Sequence, residues 1–549
     1  MQTKIVSVAE MKALEAAADQ AGLSYAMMMD SAGQAVAEQI LARVAEPAEQ
    51  KVVVLCGSGN NGGDGLVAAN RLAEAGASVA IYALKPLDET DAKVQRLRER
   101  GLLVVDAEDD QRWRVLKNLL GGVTVLVDAV FGTGARLPIT GQPADLFKQV
   151  TKLLEERSSE PPLRVAVDCP SGLDCDTGAL DPNALPADVT VTFAAAKRGQ
   201  FIFPGADAVG ELIVADIGLA DLKLPVLDDI QLTLASDEVV KGLLPARPRN
   251  AHKGTFGRVL VAAGSVNYTG AAFLSASAAY RVGAGLVTLA VVPPVYGILA
   301  GHLPEATWLM LPHEQGVITG AAADLLRANY AHTQALLVGP GLGLEPQTAD
   351  FVRRWLGADE AGGQRRGQFG FVSASAAPAS ANDDQPKMPP TVVDADGLKL
   401  LARVDGWARL LPRETVLTPH PGEMAVITGL DKSAIEADRI GTARKYAAEW
   451  GLVVVLKGAF TIVAAPDGRT ALQPFATAAL ARAGTGDVLA GAIAGLMAQG
   501  LPAFEAAVAG AYLHGHAGVL AAQALGTTAS VLASDIVEGL IEALADLEA

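Results

Sequence analysis

The chain has 549 residues, half of them apolar and 19% charged, and a formal net charge of −17. That length and composition exclude a disordered chain and leave room for two or more domains, each with its own core. The acidic balance excludes nucleic acid and anionic membrane as partners, so any phosphate-bearing ligand must be held by local devices such as backbone N–H cradles and single lysines.

The N-terminal MQTKIVSVAEMK has no apolar core of signal length, and nowhere do about 18 apolar residues run uninterrupted, so no membrane span is expected. Ser7-Val8-Ala9-Glu10 reads as a capping box opening a helix, with Val8, Met11, Leu14 and Ala18 on one apolar face. Met27, Met28 and Met29 read as adaptable core packing, since thioethers alone rarely hold hard cations.

Residues 51–56 (KVVVLC) form a buried-strand pattern that runs into Gly57-Ser58-Gly59-Asn60-Asn61-Gly62-Gly63-Asp64-Gly65, with a helix expected over 66–75. Strand, Gly-rich loop and helix make the phosphate-binding first unit of a doubly wound sheet. The loop lacks the Gly-Lys-Ser/Thr of a Walker motif and departs from the dinucleotide GxGxxG by carrying two asparagines and an aspartate. Those side chains can ligate a cation or orient polar groups, which a plain tight turn does not need.

Strand patterns follow at 78–82, 102–105, 123–127 and 163–167, separated by helical stretches, which predicts a parallel α/β sheet. Two of them end in acids: Asp128, followed by Phe131-Gly132-Thr133-Gly134, and Asp168, followed by Pro170-Ser171-Gly172. Ligands of open α/β sheets sit at the carboxyl ends of strands. Asn61, Asp128 and Ser171 are oxygen donors that could meet there around one hard cation. The plainer alternative, each acid capping the next turn, loses weight because two acids accompany one Asn-rich loop. Cys56, Cys169 and Cys175 lack zinc spacing and point to a reducing cytoplasm.

The motifs GSGNNGGDG, VDAVFGTG and VDCPSGLDCDTG together resemble the NAD(P)H-hydrate epimerase family over roughly the first 220 residues. The resemblance implies a Rossmann-like domain that interconverts the R and S forms of hydrated NADH and NADPH and uses a potassium ion. It assigns the potassium to Asn61, Asp128 and Ser171. Asn60, Asn61, Gly62, Gly63 and Asp64, then Gly132, Thr133, Gly134, Ala135, Arg136, Leu137 and Pro138, with Asp168, would line the hydrated nucleotide. Asp168 is the choice for acid–base work, and Lys197 is a weaker candidate for the same cleft.

Around 219–250 the motifs stop and Pro225, Pro245 and Pro248 interrupt the chain, which reads as a connection between domains. We expect domains at 1–220 and 228–549. Strand patterns resume at 257–263, 286–292, 335–338 and 391–393, again alternating with helices, one of which opens at Tyr268-Thr269-Gly270. Gly339-Pro340-Gly341-Leu342-Gly343 lets a ligand approach the backbone. His420 lies between two prolines. Lys457 follows an apolar strand and could meet a nucleotide phosphate as a point charge; otherwise it is a surface hairpin lysine. Residues 360–390 read as an exposed insertion without chemistry.

The reacting atoms are expected at Gly484-Thr485-Gly486-Asp487, ahead of an apolar, proline-free run of helical length through Met497. A Gly-rich turn feeding a helix N-terminus presents unpaired N–H groups, and the helix dipole favours an anion there. The same field is expected to keep Asp487 ionised, so that it can take a hydroxyl proton while the cradle holds a transferring phosphoryl group. An Asp-capped tight turn is the plainer alternative.

HKGTFG, GSVNYTGAA, GPGLG, TPHPGE, LKGAFT and AGTGDVLAG, in that order over most of 250–500, resemble the ADP- or ATP-dependent NAD(P)H-hydrate dehydratase family, of ribokinase-like fold. The resemblance implies nucleotide-dependent phosphorylation of the hydrate's hydroxyl, followed by elimination. It assigns Lys457, Gly458, Ala459, Phe460, Thr461 and Gly486 to the adenine nucleotide. Ala271, Gly341, His420 and Asp487 would face the hydrate, with Asp487 as base and Mg²⁺ accompanying the nucleotide. Likeness to single-chain bacterial forms tilts the nucleotide toward ADP. A cytoplasmic homo-oligomer is expected. Two other readings remain: a ribokinase-like small-molecule kinase with an accessory dinucleotide-binding domain, and a non-catalytic scaffold.

Overall fold

The computed structural model describes residues 3–157, 161–358 and 387–548. The insertion expected at 360–390 lies outside the described residues except for its last four. Contacts divide the chain into two units that separate between Leu232 and Thr233. Both are α/β and built on largely parallel sheets, as the alternation of strands and helices predicts.

In the first unit seven parallel strands lie in the order Leu103–Asp106, Ser78–Ala83, Lys51–Cys56, Val125–Ala129, Leu163–Val167, Val189–Phe193 and Glu211–Ala215. This is the Rossmann-like, doubly wound arrangement. The order reverses between Lys51–Cys56 and Val125–Ala129, so the loops leaving their carboxyl ends part and open a crevice. Side chains alternate across the sheet. Val52, Val54 and Cys56 join a core with Leu14, Val36 and Leu66, whereas Val53 and Leu55 join one with Leu116, Phe147 and Val150. Burial on both faces is why these strands read as continuous apolar runs.

Local differences from the sequence reading have identifiable causes. The helix expected from residue 66 starts at Asn60 and runs Asn60–Glu74. Asparagine and glycine are poor helix formers, but tertiary contact overrides them. A Cβ on Gly62 would lie 2.0 Å from the Gly57 carbonyl oxygen, so only glycine lets this first turn press against the strand exit. Val189–Phe193 and Glu211–Ala215 extend the sheet beyond the strands read from the sequence. Of the three consecutive methionines, Met28 is in the core and Met27 is exposed, while Met29 lies against Gly63.

The second sheet has ten strands in the order Leu232–Leu234, Thr470–Leu472, Ile462–Ala464, Val453–Leu456, Thr415–Leu417, Thr391–Val393, Ala335–Val338, Arg258–Ala262, Leu286–Val291 and Thr307–Met310. From Val453–Leu456 to Thr307–Met310 every pair is parallel; Ile462–Ala464 runs antiparallel to both Val453–Leu456 and Thr470–Leu472. The order reverses between Arg258–Ala262 and Ala335–Val338, which again places the crevice at strand ends. Thr485–Ala498 packs on Thr269–Arg281 so closely that a Cβ on Gly491 would meet the Ser275 carbonyl oxygen at 2.1 Å. No helix among the described residues is long and apolar enough to cross a membrane.

The stretch 219–250 is folded, not a bare connection. Leu224 and Ile230 are buried in the first core. Leu232–Leu234 is an edge strand of the second sheet, and Ser236 caps the helix Asp237–Leu243. A first-domain fragment ending at residue 220 therefore strips two buried apolar side chains, worth roughly 1.5–3 kcal/mol each. Fragments 1–231 and 1–220 should differ by about 3–6 kcal/mol in urea unfolding, with 1–231 the more stable. Equal midpoints would show that 221–231 contributes nothing to the first core.

Candidate active sites

In the first unit, three strand exits meet at the crevice. Asn61, in the first turn of Asn60–Glu74, is buried, and neither its Oδ1 nor its Nδ2 has a hydrogen-bond partner among the described residues. Gly132, on the exit from Val125–Ala129, supplies the measure of proximity. A Cβ there would be 3.0 Å from both Asn61 Oδ1 and Asp168 Oδ2. Asn61, Gly132 and Asp168 thus line one small space. Thr133, Gly134, Ala135, Arg136, Leu137 and Pro138 continue from Gly132 as a partly exposed loop with a cis Leu137–Pro138 peptide.

Asp128 is buried and accepts hydrogen bonds from the Ser171 N–H on Oδ2 and the Ser171 hydroxyl on Oδ1, both at 2.7 Å. The Val130 N–H adds a third at 3.2 Å. Burial pushes the Asp128 carboxyl up to about 6, against those hydrogen bonds. Ser171 Oγ also accepts from the Phe131 N–H at 2.8 Å. The unpartnered Asn61 amide oxygen and the buried Asp128 carboxylate, which has no ion pair among the described residues, are oxygen donors of the kind a hard monovalent cation takes. Asp128 and Ser171 also bind each other, so the plainer role of holding two strand exits together is present as well.

Asp168 follows Leu163–Val167 with φ +64, a left-handed conformation rare outside glycine. Its Oδ1 accepts from Lys197 Nζ at 2.5 Å and from the Thr192 hydroxyl at 3.0 Å. The same ammonium donates to Thr192 Oγ1 at 2.6 Å and to the Phe193 carbonyl at 3.3 Å. Lys197 is only 1% exposed. Burial pulls its pKa down most strongly, but Asp168 together with the neighbouring Cys169 and Cys175 holds it above the ordinary lysine value. Oδ2 of Asp168 takes no hydrogen bond among the described residues and faces the Gly132 space. Asp64 is buried, and burial together with the charge of Asp168 raises its pKa well above the carboxylate range. Glu15, on the helix Val8–Gln20, is raised by burial and feels both Lys197 and Asp168. The sequence reading passed over Glu15 and Thr192, which belong to no Gly-rich or acid-ended motif.

In the second unit the exits of five parallel strands converge. Gly341, φ +62, would place a Cβ 2.8 Å from the Ala271 Cβ, so those two expected hydrate contacts are neighbours. His420 caps Pro421–Thr428: its Nδ1 accepts from the Gly422 and Glu423 N–H groups at 3.0 and 3.2 Å. Nε2 then carries the ring proton, 3.4 Å from Glu423 Oε1. Burial lowers the His420 pKa against the pull of Glu423.

Lys457 is neither a surface hairpin lysine nor a free point charge. Its Nζ lies 2.6 Å from Asp394 Oδ1 and 3.6 Å from Glu423 Oε2. Burial lowers its pKa, yet these acids raise it overall. Asp394 also accepts from the Thr418 hydroxyl at 2.7 Å, while its Oδ2 is buried without a partner among the described residues. A Cβ on Gly486 would be 3.3 Å from Lys457 Nζ and 3.8 Å from Asp394 Oδ2, which ties the Gly-rich turn to this cluster.

Gly484 caps Thr485–Ala498 with Asp487 in the first turn, as expected. The expected ionisation is corrected. Burial and then the Asp394 charge lift Asp487 to about 7 against the opposing pull of Lys457. His514 donates Nε2–H to the Thr485 carbonyl at 2.8 Å; burial lowers its pKa to about 4, so the ring is neutral. Of the 457–461 loop, Gly458 has φ +144 and Phe460 has φ +52, and the Thr461 hydroxyl donates to the Gly458 carbonyl at 2.9 Å. Asp394 was missed although Val393-Asp394 ends a strand in an acid, the pattern that singled out Asp128 and Asp168.

A family profile described as the YjeF-related protein N-terminus matches residues 25–199. One described as NAD(P)H-hydrate dehydratase matches 259–362 and 374–541. The chain is 38% identical to the bifunctional NAD(P)H-hydrate repair enzyme Nnr of Moorella thermoacetica, over 99% of this chain and 97% of the relative. It is 34% identical to the Nnr of Thermofilum pendens, over 95% of this chain and 93% of the relative. Among solved structures, the ADP/ATP-dependent NAD(P)H-hydrate dehydratase from Bacillus subtilis co-crystallized with ATP/Mg²⁺ is 28% identical, covering 57% of this chain and 98% of that one with a TM-score of 0.44. With both profiles matched in series and relatives aligned end to end, the chain belongs to the family of bifunctional NAD(P)H-hydrate repair enzymes.

Proposed function

We propose that the unit before residue 233 epimerises hydrated NADH and NADPH at Asp168, and that the following unit dehydrates the S hydrate at Asp487 with an adenine nucleotide. The observation that carries this is a buried lysine–aspartate pair at strand ends in each unit with a carboxylate edge left open there: Asp168 Oδ2 within the pair itself in the first unit, and Asp487 beside the Lys457–Asp394 pair in the second. A small-molecule kinase with an accessory domain has no use for the first crevice.

In the epimerase unit, Asn60 to Asp64 and Gly132 to Pro138 would hold the nucleotide. The hydroxyl-bearing carbon of the hydrate is bonded to the ring nitrogen. Hydroxide can therefore leave with a proton from an acid while the nitrogen lone pair stabilises the resulting cation, and water can return to the other face by giving a proton to a base. Asp168 Oδ2 is placed to move that proton, because Lys197 and Thr192 immobilise Oδ1. Asn61, Asp128 and Ser171 would hold a potassium ion. When bound, that ion supplies positive charge for anionic parts of the substrate. Asn61→Ala removes an amide with no protein partner, so stability should change little. The potassium needed for half-maximal epimerisation should rise about tenfold or more, the usual effect of weakening a metal's oxygen set. An unchanged potassium requirement would remove Asn61 from the site.

In the dehydratase unit, Lys457 to Thr461 and Gly486 would take the nucleotide, with Mg²⁺ entering alongside it. The unpartnered Asp394 Oδ2 beside Gly486 is an oxygen donor of the kind that ion accepts. Ala271, Gly341 and His420 would face the hydrate. Asp487 takes the hydroxyl proton as the oxygen attacks the terminal phosphoryl group, whose bond to the bridging oxygen breaks to release the nucleotide one phosphate shorter. Phosphate then leaves with the bonding electrons, a neighbouring ring C–H loses its proton, and the double bond returns. Hydroxide is a poor leaving group and phosphate a good one. We further propose a reducing, cytoplasmic setting, in keeping with three free cysteines, and an oligomer; exposed Tyr25 and Met27 offer apolar surface for contact between copies.

Asp487→Asn keeps the shape and removes the base. Dehydration should fall about 10²- to 10⁴-fold with nucleotide binding and epimerisation retained. Near-normal dehydration would place the base elsewhere. The pH profile follows with its sign: the base works deprotonated, so kcat/KM for dehydration should climb as pH rises through about 7 and fall away below it. Asp394→Asn removes the neighbouring negative charge and should move that limb to lower pH. A limb that stays in place or moves upward would contradict the coupling.

A further inference from the structure

We propose that Arg439 is the positioning residue of the nucleotide pocket, fixing the peptide planes of the 457–461 loop so that its amides face the bound nucleotide. This rests on the reading of that loop as the nucleotide site. Arg439 is the first residue of the helix Arg439–Trp450. A cation is disfavoured there twice over, by the positive end of the helix dipole and by burial, which lowers its pKa. No carboxylate among the described residues forms an ion pair with it, and its Nε has no partner. What it does hold is backbone: Nη1 donates to the Ala459 carbonyl at 2.5 Å, and Nη2 to the Leu456 and Lys457 carbonyls, both at 3.3 Å.

Those bonds dictate where the loop's N–H groups point. A peptide unit is planar and trans, so a carbonyl aimed at the guanidinium turns the following N–H to the opposite side. The Lys457 carbonyl faces Arg439, which turns the Gly458 N–H away. The Gly458 carbonyl is taken by the Thr461 hydroxyl at 2.9 Å, which turns the Ala459 N–H away. Neither N–H bonds to the protein among the described residues, whereas the Phe460 N–H donates to the Phe475 carbonyl at 2.8 Å. Two successive free amides form a concavity suited to an anionic oxygen, such as those of a nucleotide's phosphates. The arrangement admits only glycine at 458, where φ is +144 and a Cβ would lie 2.7 Å from Arg439 Nη2. Phe460, at φ +52, is strained as well, and strain of this kind persists only where surrounding bonds over-determine it.

The test uses the full chain with Arg439→Ala, Arg439→Lys and Gly458→Ala, measuring ADP and ATP affinity, the hydrate KM at saturating nucleotide, and rescue by added guanidinium ion. Arg439→Ala should weaken nucleotide binding by about tenfold or more, the scale of lost hydrogen bonds from a charged donor. The hydrate KM should stay near its original value, and guanidinium should restore nucleotide affinity. Arg439→Lys should fall between the two and carries the test if the alanine variant does not fold. Nucleotide binding like the unaltered chain's would overturn the proposal. So would nucleotide and hydrate binding falling together without guanidinium rescue. If Gly458→Ala weakens nucleotide binding and the Arg439 variants do not, the Arg439 proposal alone fails; if none of the three does, the loop is not the nucleotide site.

Discussion

A buried ammonium held against an aspartate organises each of the two sites. Lys197 meets Asp168 at 2.5 Å in one and Lys457 meets Asp394 at 2.6 Å in the other. Each pair sits at the carboxyl end of a parallel strand, where the crevice opens and water gives way to protein. Removing one partner would leave an uncompensated buried charge, at a cost of about 3–5 kcal/mol. The rest of each site follows from that constraint. In the first unit the lysine locks one oxygen of Asp168 and leaves the other facing the space beside Gly132. In the second it neutralises Asp394 only in part, so that burial and then the Asp394 charge raise Asp487 to a pKa of about 7.

The two arrangements use the same kind of pair for different ends. Where the lysine touches the proposed acid–base carboxylate directly, it fixes that group's orientation. Where it touches a neighbouring carboxylate, it moderates that carboxylate's effect on the proposed base, and a base poised near the working pH transfers protons most effectively. The strained backbones fit this division. Asp168 at φ +64 and Phe460 at φ +52 are both held by neighbouring hydrogen bonds in conformations that a free chain would leave.

Much of this was legible in the sequence because it depends on spacing along the chain. Strand, Gly-rich exit and helix are local, so Asn61, Asp128, Asp168 and Asp487 could be picked out from their motifs, and the strands Ala335–Val338, Thr391–Val393 and Val453–Leu456 form with the bounds their apolar runs suggest. What depends on residues distant in sequence was not legible. The Asn60 helix start is set by contact with the Gly57 carbonyl, and the Asp487 pKa by burial and then by a carboxylate 93 positions earlier (487 − 394). Arg439 carries no motif at all; its meaning lies in the carbonyls it reaches. The stretch 219–250 was misread because its prolines break patterns while Leu224 and Ile230 still bury.

The division of labour between the two carboxylates is tested most directly by supplying the R hydrate alone, with nucleotide, to the full chain and to Asp168→Asn, and following the return of nicotinamide absorbance. The R hydrate must pass through epimerisation before it can be dehydrated. The account predicts that the unaltered chain consumes it, that Asp168→Asn consumes it only at the uncatalysed rate of epimerisation, and that the same variant still consumes the S hydrate normally. Consumption of the R hydrate by Asp168→Asn at the unaltered rate would contradict it.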